Sequence, residues 1–270
     1  VAAFDGTERL SAADSTDLGM REIVEFVFDT TVASPALVLA SRQSLLPTYL
    51  LYQAFAYLGN DVGRWLAAFE RGDASAARRA RGVVAALGGI DVLVPGTNGG
   101  WDSVATILET GPLAADVRLI PLPTLGKQGE VRLRMAKGAW RVDAAGLVSL
   151  GEEVTPIRVE PREVRAHGAR DDAARASLVD PAAALTTFPG DRYTLVYQLP
   201  APAERYELFL ETRGYYLEWM RNEWTAEEDP VAAASLFLDP ARALRRLAPA
   251  FKREEPKLEA AFWRSKYAGF

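Results

Sequence analysis

Two spacings of hydrophobic residues alternate along the chain, and they predict where strands and helices lie. REIVEFVF (21–28) and PALVLASRQ (35–43) are rich in β-branched and aromatic residues and predict two strands, paired through a turn at TTVAS. The period then changes. LLPTYLLYQAFAYL (45–58) carries only Thr48 and Gln53 as clearly polar side chains, which predicts a helix apolar on nearly every face that must be covered all round. Gly59 is placed to end it, and Asn60 or Asp61 to cap a second helix, VGRWLAAFERG, in which Trp65 and Phe69 share a face. ASAARRARGVVAALGG predicts a third helix, closed by Gly88 and Gly89. This helical block, 45–88, sits between strands and reads as an insertion into a β fold.

From Ile90 the β pattern resumes in IDVLVPG, GGWDSVATILETGP, ADVRLIPLP, EVRLRMAKG and AWRVDAAGLVSL, each bounded by Gly or Pro. In VRLRM, Val131, Leu133 and Met135 alternate with Arg132 and Arg134, the pattern of a sheet with one dry face and one wet face. Residues 151–190 are charged and Pro-punctuated and predict a linker. DRYTLVYQLP and RYELFLETRGYY, joined by APAE, predict a hairpin that either completes the first sheet or opens a second domain. Asp229-Pro230 and Asp239-Pro240, like Asp180-Pro181, place a capping side chain before a proline and predict helix starts. Leu244, Leu247 and Phe251 then form one helical stripe. The expected architecture is mainly β with helices. It is an antiparallel, jelly-roll-like β-sandwich over 21–224, preceded by a polar surface arm (1–20) and followed by a helical tail (225–270).

Composition narrows the chemistry. The 270 residues, 49% hydrophobic and 25% charged, suffice for a substantial core. A net charge of −5 argues against a general nucleic-acid binder, leaving local basic runs at Arg78–Arg81 and Arg242–Arg253 whose ordinary reading is solvated helix faces. With no cysteine, disulfides, thiolate metal sites and thiol nucleophiles are excluded. No apolar run is long enough to predict a membrane-spanning helix. The chain starts at Val1, which fits either a shortened chain or a processed precursor that has lost a signal peptide. Together with the abundance of Ala, Arg, Gly and Pro, this gives the expectation of a bacterial protein of the periplasm or the cell exterior.

Residues 90–150, with GGWDSVATI, the VRLRM strand, a KG turn and the closing WRVDAAGLVSL, resemble the second half of galactose-binding-like β-sandwiches, common among carbohydrate-binding modules. The resemblance implies a sandwich and sugar binding. The block at 45–88 and the helical tail depart from that pattern.

Candidate chemistry is sparse. His167, the one histidine, lies in the charged stretch VRAHGARDD, and no Gly-x-Ser-x-Gly elbow occurs, so no serine triad is predicted. Gly96–Gly100 reads as a hairpin turn rather than a phosphate cradle, because a strand and not a helix follows it. Asp102, Glu109, Asp116, Asp143, Glu211 and Glu218 are carboxylates of the kind a glycosidase pairs, with Asp143 singled out by its apolar strand beside Trp140. Asp5, Asp14 and Asp17 lack the spacing of a calcium loop. The aromatics say more. Tyr49, Tyr52 and Phe55 on the apolar helix, Trp101 after a glycine pair, and Tyr215, Tyr216 and Trp219 in TRGYYLEWMRNEW are the interface or ligand candidates. They support a non-catalytic accessory protein that docks on a larger assembly, without cofactor or metal. The alternatives are a carbohydrate-binding module with stacked aromatics, and a hydrolase with a carboxylate site. TRGYYLEWMRNEW itself reads as a strand-to-helix junction.

Overall fold

The computed structural model describes residues 5–29, 32–108, 111–113, 115–125, 129–188, 190–200, 206–214 and 225–265. The chain divides into two compact units, one of Val1–Gly151 with Met220–Tyr267, the other of Glu152–Trp219 with Ala268–Phe270.

The first unit is the expected antiparallel sandwich with a helical insertion and a helical tail. Its strands are β1 (Arg9–Leu10), β2 (Arg21–Phe28), β3 (Pro35–Gln43), β4 (Ile90–Pro95), β5 (Trp101–Ile107), β6 (Asp116–Pro121), β7 (Gly129–Ala136) and β8 (Trp140–Ser149). They form two four-stranded sheets, in the orders β1-β8-β3-β6 and β2-β7-β4-β5. Val131, Leu133 and Met135 from one sheet meet Leu37, Leu39 and Val142 from the other in a single core that also holds Trp140. The arginines that alternate with the β7 core residues point outward and find cross-strand acids. Arg132 is opposite Glu25 (2.7 Å), and Arg134 is opposite Asp91 (2.9 Å).

The expected hairpin of β2 with β3 does not form. β2 pairs with β7, whereas β3 lies in the other sheet between β6 and β8. The reason is in the burial: β2 is covered on one face only, with Ile23 and Val27 exposed on the other, but nearly every side chain of β3 is buried. A strand dry on both faces belongs in a sheet centre, flanked on both sides.

Between β3 and β4 stand α1 (Leu46–Leu58), α2 (Val62–Glu70) and α3 (Ala74–Leu87), as predicted. Gly59 ends α1 at φ +50, where an added Cβ would meet the Glu228 side chain at 2.5 Å. No cap by Asn60 or Asp61 is needed, because a 3-10 turn over Gly59–Asp61 leads directly into α2. The tail forms α5 (Pro230–Leu238) and α6 (Pro240–Ser265). Their starts are capped as expected, since Asp229 accepts from the Ala232 amide (2.9 Å) and Asp239 from the Arg242 amide (3.1 Å). The third Asp-Pro differs: Asp180 ends a helix and opens a turn.

The N-terminal stretch is no loose arm. β1 pairs with β8, and Leu18 is fully buried. Gly138 takes φ +76 in the β7–β8 turn so that Ala13 can pass over it; a Cβ there would lie 2.6 Å from the Ala13 nitrogen.

The second unit is small. β9 (Glu163–Ala166) is flanked by β10 (Ala169–Arg170) and β11 (Tyr193–Val196), and α4 (Asp172–Val179) packs on β9. His167 and Gly168 join β9 to β10 with φ of 50 and 87, the paired positive values a two-residue I′ hairpin demands. The middle of the segment expected as a linker is thus folded, into β9, β10 and α4, while 151–161 is in no strand or helix. β11 finds its partner in β9 rather than in RYELFLETRGYY, and the described part of that sequence, 206–214, is in no strand.

Candidate functional site

The helix α1 is covered within the chain at Leu46, Leu50, Ala54, Phe55 and Ala56, while Leu51 stays 43% exposed. α5 and α6 pack against it, and Tyr49 lies on Phe251 with ring centroids 5.0 Å apart. Phe55, 4% exposed, meets the edge of Trp65, which in turn stacks on Phe237 at 5.6 Å. Tyr52 is half-buried in the same cluster. These three aromatics hold the helical block together. Burial, first of all, pushes the Tyr49 and Tyr57 phenols above the ordinary tyrosine range.

Trp101 opens β5, the edge strand of its sheet, and is half-exposed. The Arg132 guanidinium covers its ring at 3.8 Å, held also by Glu25. Asp91 lies on the same outer sheet face, bound by Arg134 and by the Thr106 hydroxyl (2.8 Å). This gives one aromatic among fixed charges. Tyr215, Tyr216 and Trp219 lie outside the described residues, as do most of the residues of TRGYYLEWMRNEW.

Among the described residues of the first unit, Asp102, Asp116 and Asp143 each have separate surroundings. Asp102 lies beside Gly96, Asp116 pairs with Arg118, and Glu211 pairs with Arg158 at 2.6 Å; Glu109 and Glu218 lie outside the described residues. Asp143 is the extra residue of a bulge opposite Ala40 and Ser41, and its Oδ1 is buried without a hydrogen bond. Asp14 turns onto the Thr16 and Asp17 amides, and Asp17 onto the Gly19 amide. Among the described residues no group of His, Asp and Glu could hold a metal ion. His167 is exposed at its hairpin. The Gly96–Gly100 turn joins β4 to β5 as predicted, with the Gly96 amide donating to the Gly100 carbonyl at 2.8 Å.

A charge network that the sequence reading missed ties down the segment from Glu8 to Ser11. Glu8 accepts from both Arg42 and Arg141, and Arg141 reaches on to Glu259 of α6 at 2.7 Å. Nearby, Glu22 accepts from Arg9 (2.8 Å) and Ser11 (2.6 Å). Burial opposes ionisation of Glu8 and Glu22, but the arginine partners together outweigh it and hold both carboxyls below their usual range. A cavity of about 20 Å³, lined by Leu10, Ser44, Phe251 and Leu258 among others, has room for about one water molecule.

The second unit contrasts with all this. Val164 and Ala174 are its buried aliphatic side chains among the described residues. Leu208, Phe209 and Leu210 are 73, 87 and 75% exposed, and Val154 and Ile157 are exposed as well. Arg158 links the segment of Val154 and Ile157 to Glu211, at the end of the Leu208–Leu210 run.

No family model matches the chain, and neither a curated protein nor a solved structure matches it.

Proposed function

We propose that this protein is a non-catalytic accessory protein that docks on a larger protein assembly, and that the 152–219 unit carries the docking surface. The observation that carries this reading is the exposed run Leu208–Leu210 on a unit whose described residues bury only Val164 and Ala174 among aliphatic side chains. Contiguous apolar side chains left in water cost free energy that a partner's surface recovers, and such patches mark interaction sites more often than scattered exposed residues do. The test compares the tagged chain with a Leu208→Ser/Phe209→Ser/Leu210→Ser variant as baits in native extracts. A stoichiometric protein partner retained by the first and lost by the second is expected. Recovery of both as lone monomers would overturn the proposal.

Carbohydrate binding is a second reading, favoured by Trp101 on an outer sheet face among fixed polar side chains. A glycan array on the intact chain and on Trp101→Ala separates the two. Specific glycan signal that disappears in the variant supports this reading, and a blank array from both removes it.

A further inference from the structure

The two basic runs noted in the sequence, far apart along the chain, come together in the fold. Gly82 in the middle of α3 faces Pro240, the first residue of α6, with a contact of 3.8 Å to the proline ring from a Cβ placed there. Arg78 lies one turn before Gly82 on the same face of α3, and Arg81 immediately precedes Gly82. Arg242 stands two residues beyond Pro240. Arg78, Arg79, Arg81 and Arg242 are exposed and make no ion pair with a described residue, while Arg245 is only loosely tied to Asp17 at 3.8 Å. The acids at these helix starts keep their charge but are turned onto their own helix ends, and Glu227, Glu228 and Asp229 precede α5, with Asp229 turned in the same way. Asp73 accepts from Ser75, and Asp239 accepts from the Arg242 amide.

Against this basic rim lies α5, which packs on both α3 and α6. Its sequence, PVAAASLFL, contains no charged residue. Ala232, Ala233 and Leu236 face the core. The opposite stripe, Val231, Ala234 and Leu238, is also apolar, and Val231 and Leu238 are 77 and 79% exposed. A helix apolar on both faces calls for a second apolar environment on its outer side.

We propose that this face of the α3, α5 and α6 layer docks on an anionic phospholipid bilayer. The arginines meet the headgroup phosphates, which suit the planar guanidinium, and the Val231, Ala234 and Leu238 stripe enters the headgroup boundary. Duplex nucleic acid satisfies the arginines but offers the apolar stripe nothing. The residues involved are separate from the docking run at 208–210, so either proposal stands or falls without the other.

The test is co-flotation of the full chain with vesicles of phosphatidylcholine alone and of phosphatidylcholine mixed with phosphatidylglycerol. Binding to the mixed vesicles, lost as salt is raised, is expected. Arg78→Gln/Arg81→Gln/Arg242→Gln removes three surface charges and should weaken that binding roughly a hundredfold. Leu238→Ser, with the charges intact, should weaken it about tenfold. All these side chains are exposed, and unchanged circular dichroism and melting confirm that each variant is folded. Equal partition to neutral and anionic vesicles, or an arginine variant that binds like the parent, overturns the proposal. So does a parent chain that ignores vesicles but binds duplex DNA or polyglutamate through these arginines.

Discussion

Two stretches with the same alternating pattern end in opposite environments. In β7, Val131, Leu133 and Met135 alternate with Arg132 and Arg134, and the apolar set is fully buried. In YELFLE, Tyr206, Leu208 and Leu210 alternate with Glu207, Phe209 and Glu211, and the apolar set stays exposed. Alternation specifies that a strand has a dry face; whether anything covers that face depends on neighbours elsewhere in the sequence. β7 has β2 and β4 beside it and a second sheet across the core, so its pattern closes on itself. The 206–214 segment is in no ladder of its own unit. The contrast separates a unit whose alternating apolar residues are covered from one in which Leu208, Phe209 and Leu210 stay exposed.

The strongest way to break this comparison is to remove equal kinds of core from each unit. Trp140 is essentially fully buried in the sandwich, and Trp140→Ala should cost about 3–5 kcal/mol, read as a large fall in the urea midpoint. Val164→Ala trims a side chain that is buried among the described residues of the second unit. It should leave the main transition within about 0.5 kcal/mol. If Val164→Ala shifts the main transition as far as Trp140→Ala does, the two units share one cooperative core and the contrast is wrong.

Next in size comes the charge network. Glu8 bridges two arginines whose side chains are mostly buried, so Glu8→Gln should cost about 3 kcal/mol by leaving them poorly compensated. The pH dependence follows from the same geometry. Glu8 and Glu22 have folded-state values below the unfolded carboxylate value of 4.5. Their contribution is fully present above that value and is lost as pH falls through the lower folded values. Acid titration of stability should therefore show a steep loss below pH 4.5 that is shallower in Glu8→Gln. The second unit also has a depressed carboxyl, Glu163, held down by its hydrogen bond from Arg165, but this is a surface pair and should add nothing comparable.

The sequence made the sandwich readable wherever one strand carried its own answer. VRLRM showed its buried face, the apolar helix at 45–58 demanded cover, and two of the three Asp-Pro steps marked helix starts. Properties that depend on two distant segments were not readable. β2 pairs with β7 across about a hundred residues of sequence, with Glu25 opposite Arg132, and the segment at Glu8 is held by Arg42 and Arg141. Neither pairing leaves a local signature. For the same reason the two arginine runs looked like separate solvated faces, although α3 and α6 bring them together. Of the candidate aromatics, Phe55 could not be told from an interface residue, because an apolar helix looks alike whether its cover comes from α5 and α6 or from another molecule.

A smaller effect sharpens the comparison at the alkaline end. The Tyr49 and Tyr57 phenols, raised chiefly by burial, keep their protons in the folded state above the pH at which the unfolded chain loses them. Stability is therefore whole below the unfolded tyrosine value of 10.0 and falls as pH rises from there through the higher folded values. Tyr49→Phe should flatten that fall in a series of thermal melts.

The smallest effect on stability is the most discriminating. Leu208, Phe209 and Leu210 contribute little buried area within this chain, so replacing each by serine should change the stability of the isolated protein by no more than about 0.5 kcal/mol. A core residue of β7 treated in the same way, Leu133→Ser, loses both transfer free energy and packing and should destabilise the sandwich severely. If the 208–210 run is a docking surface, the triple variant keeps its melting temperature, becomes more soluble, and loses its partner. A triple variant that melts far below the parent would instead show that these residues are buried in the protein's own fold. The second unit would then be a self-sufficient domain, and the distinction drawn between VRLRM and YELFLE would disappear.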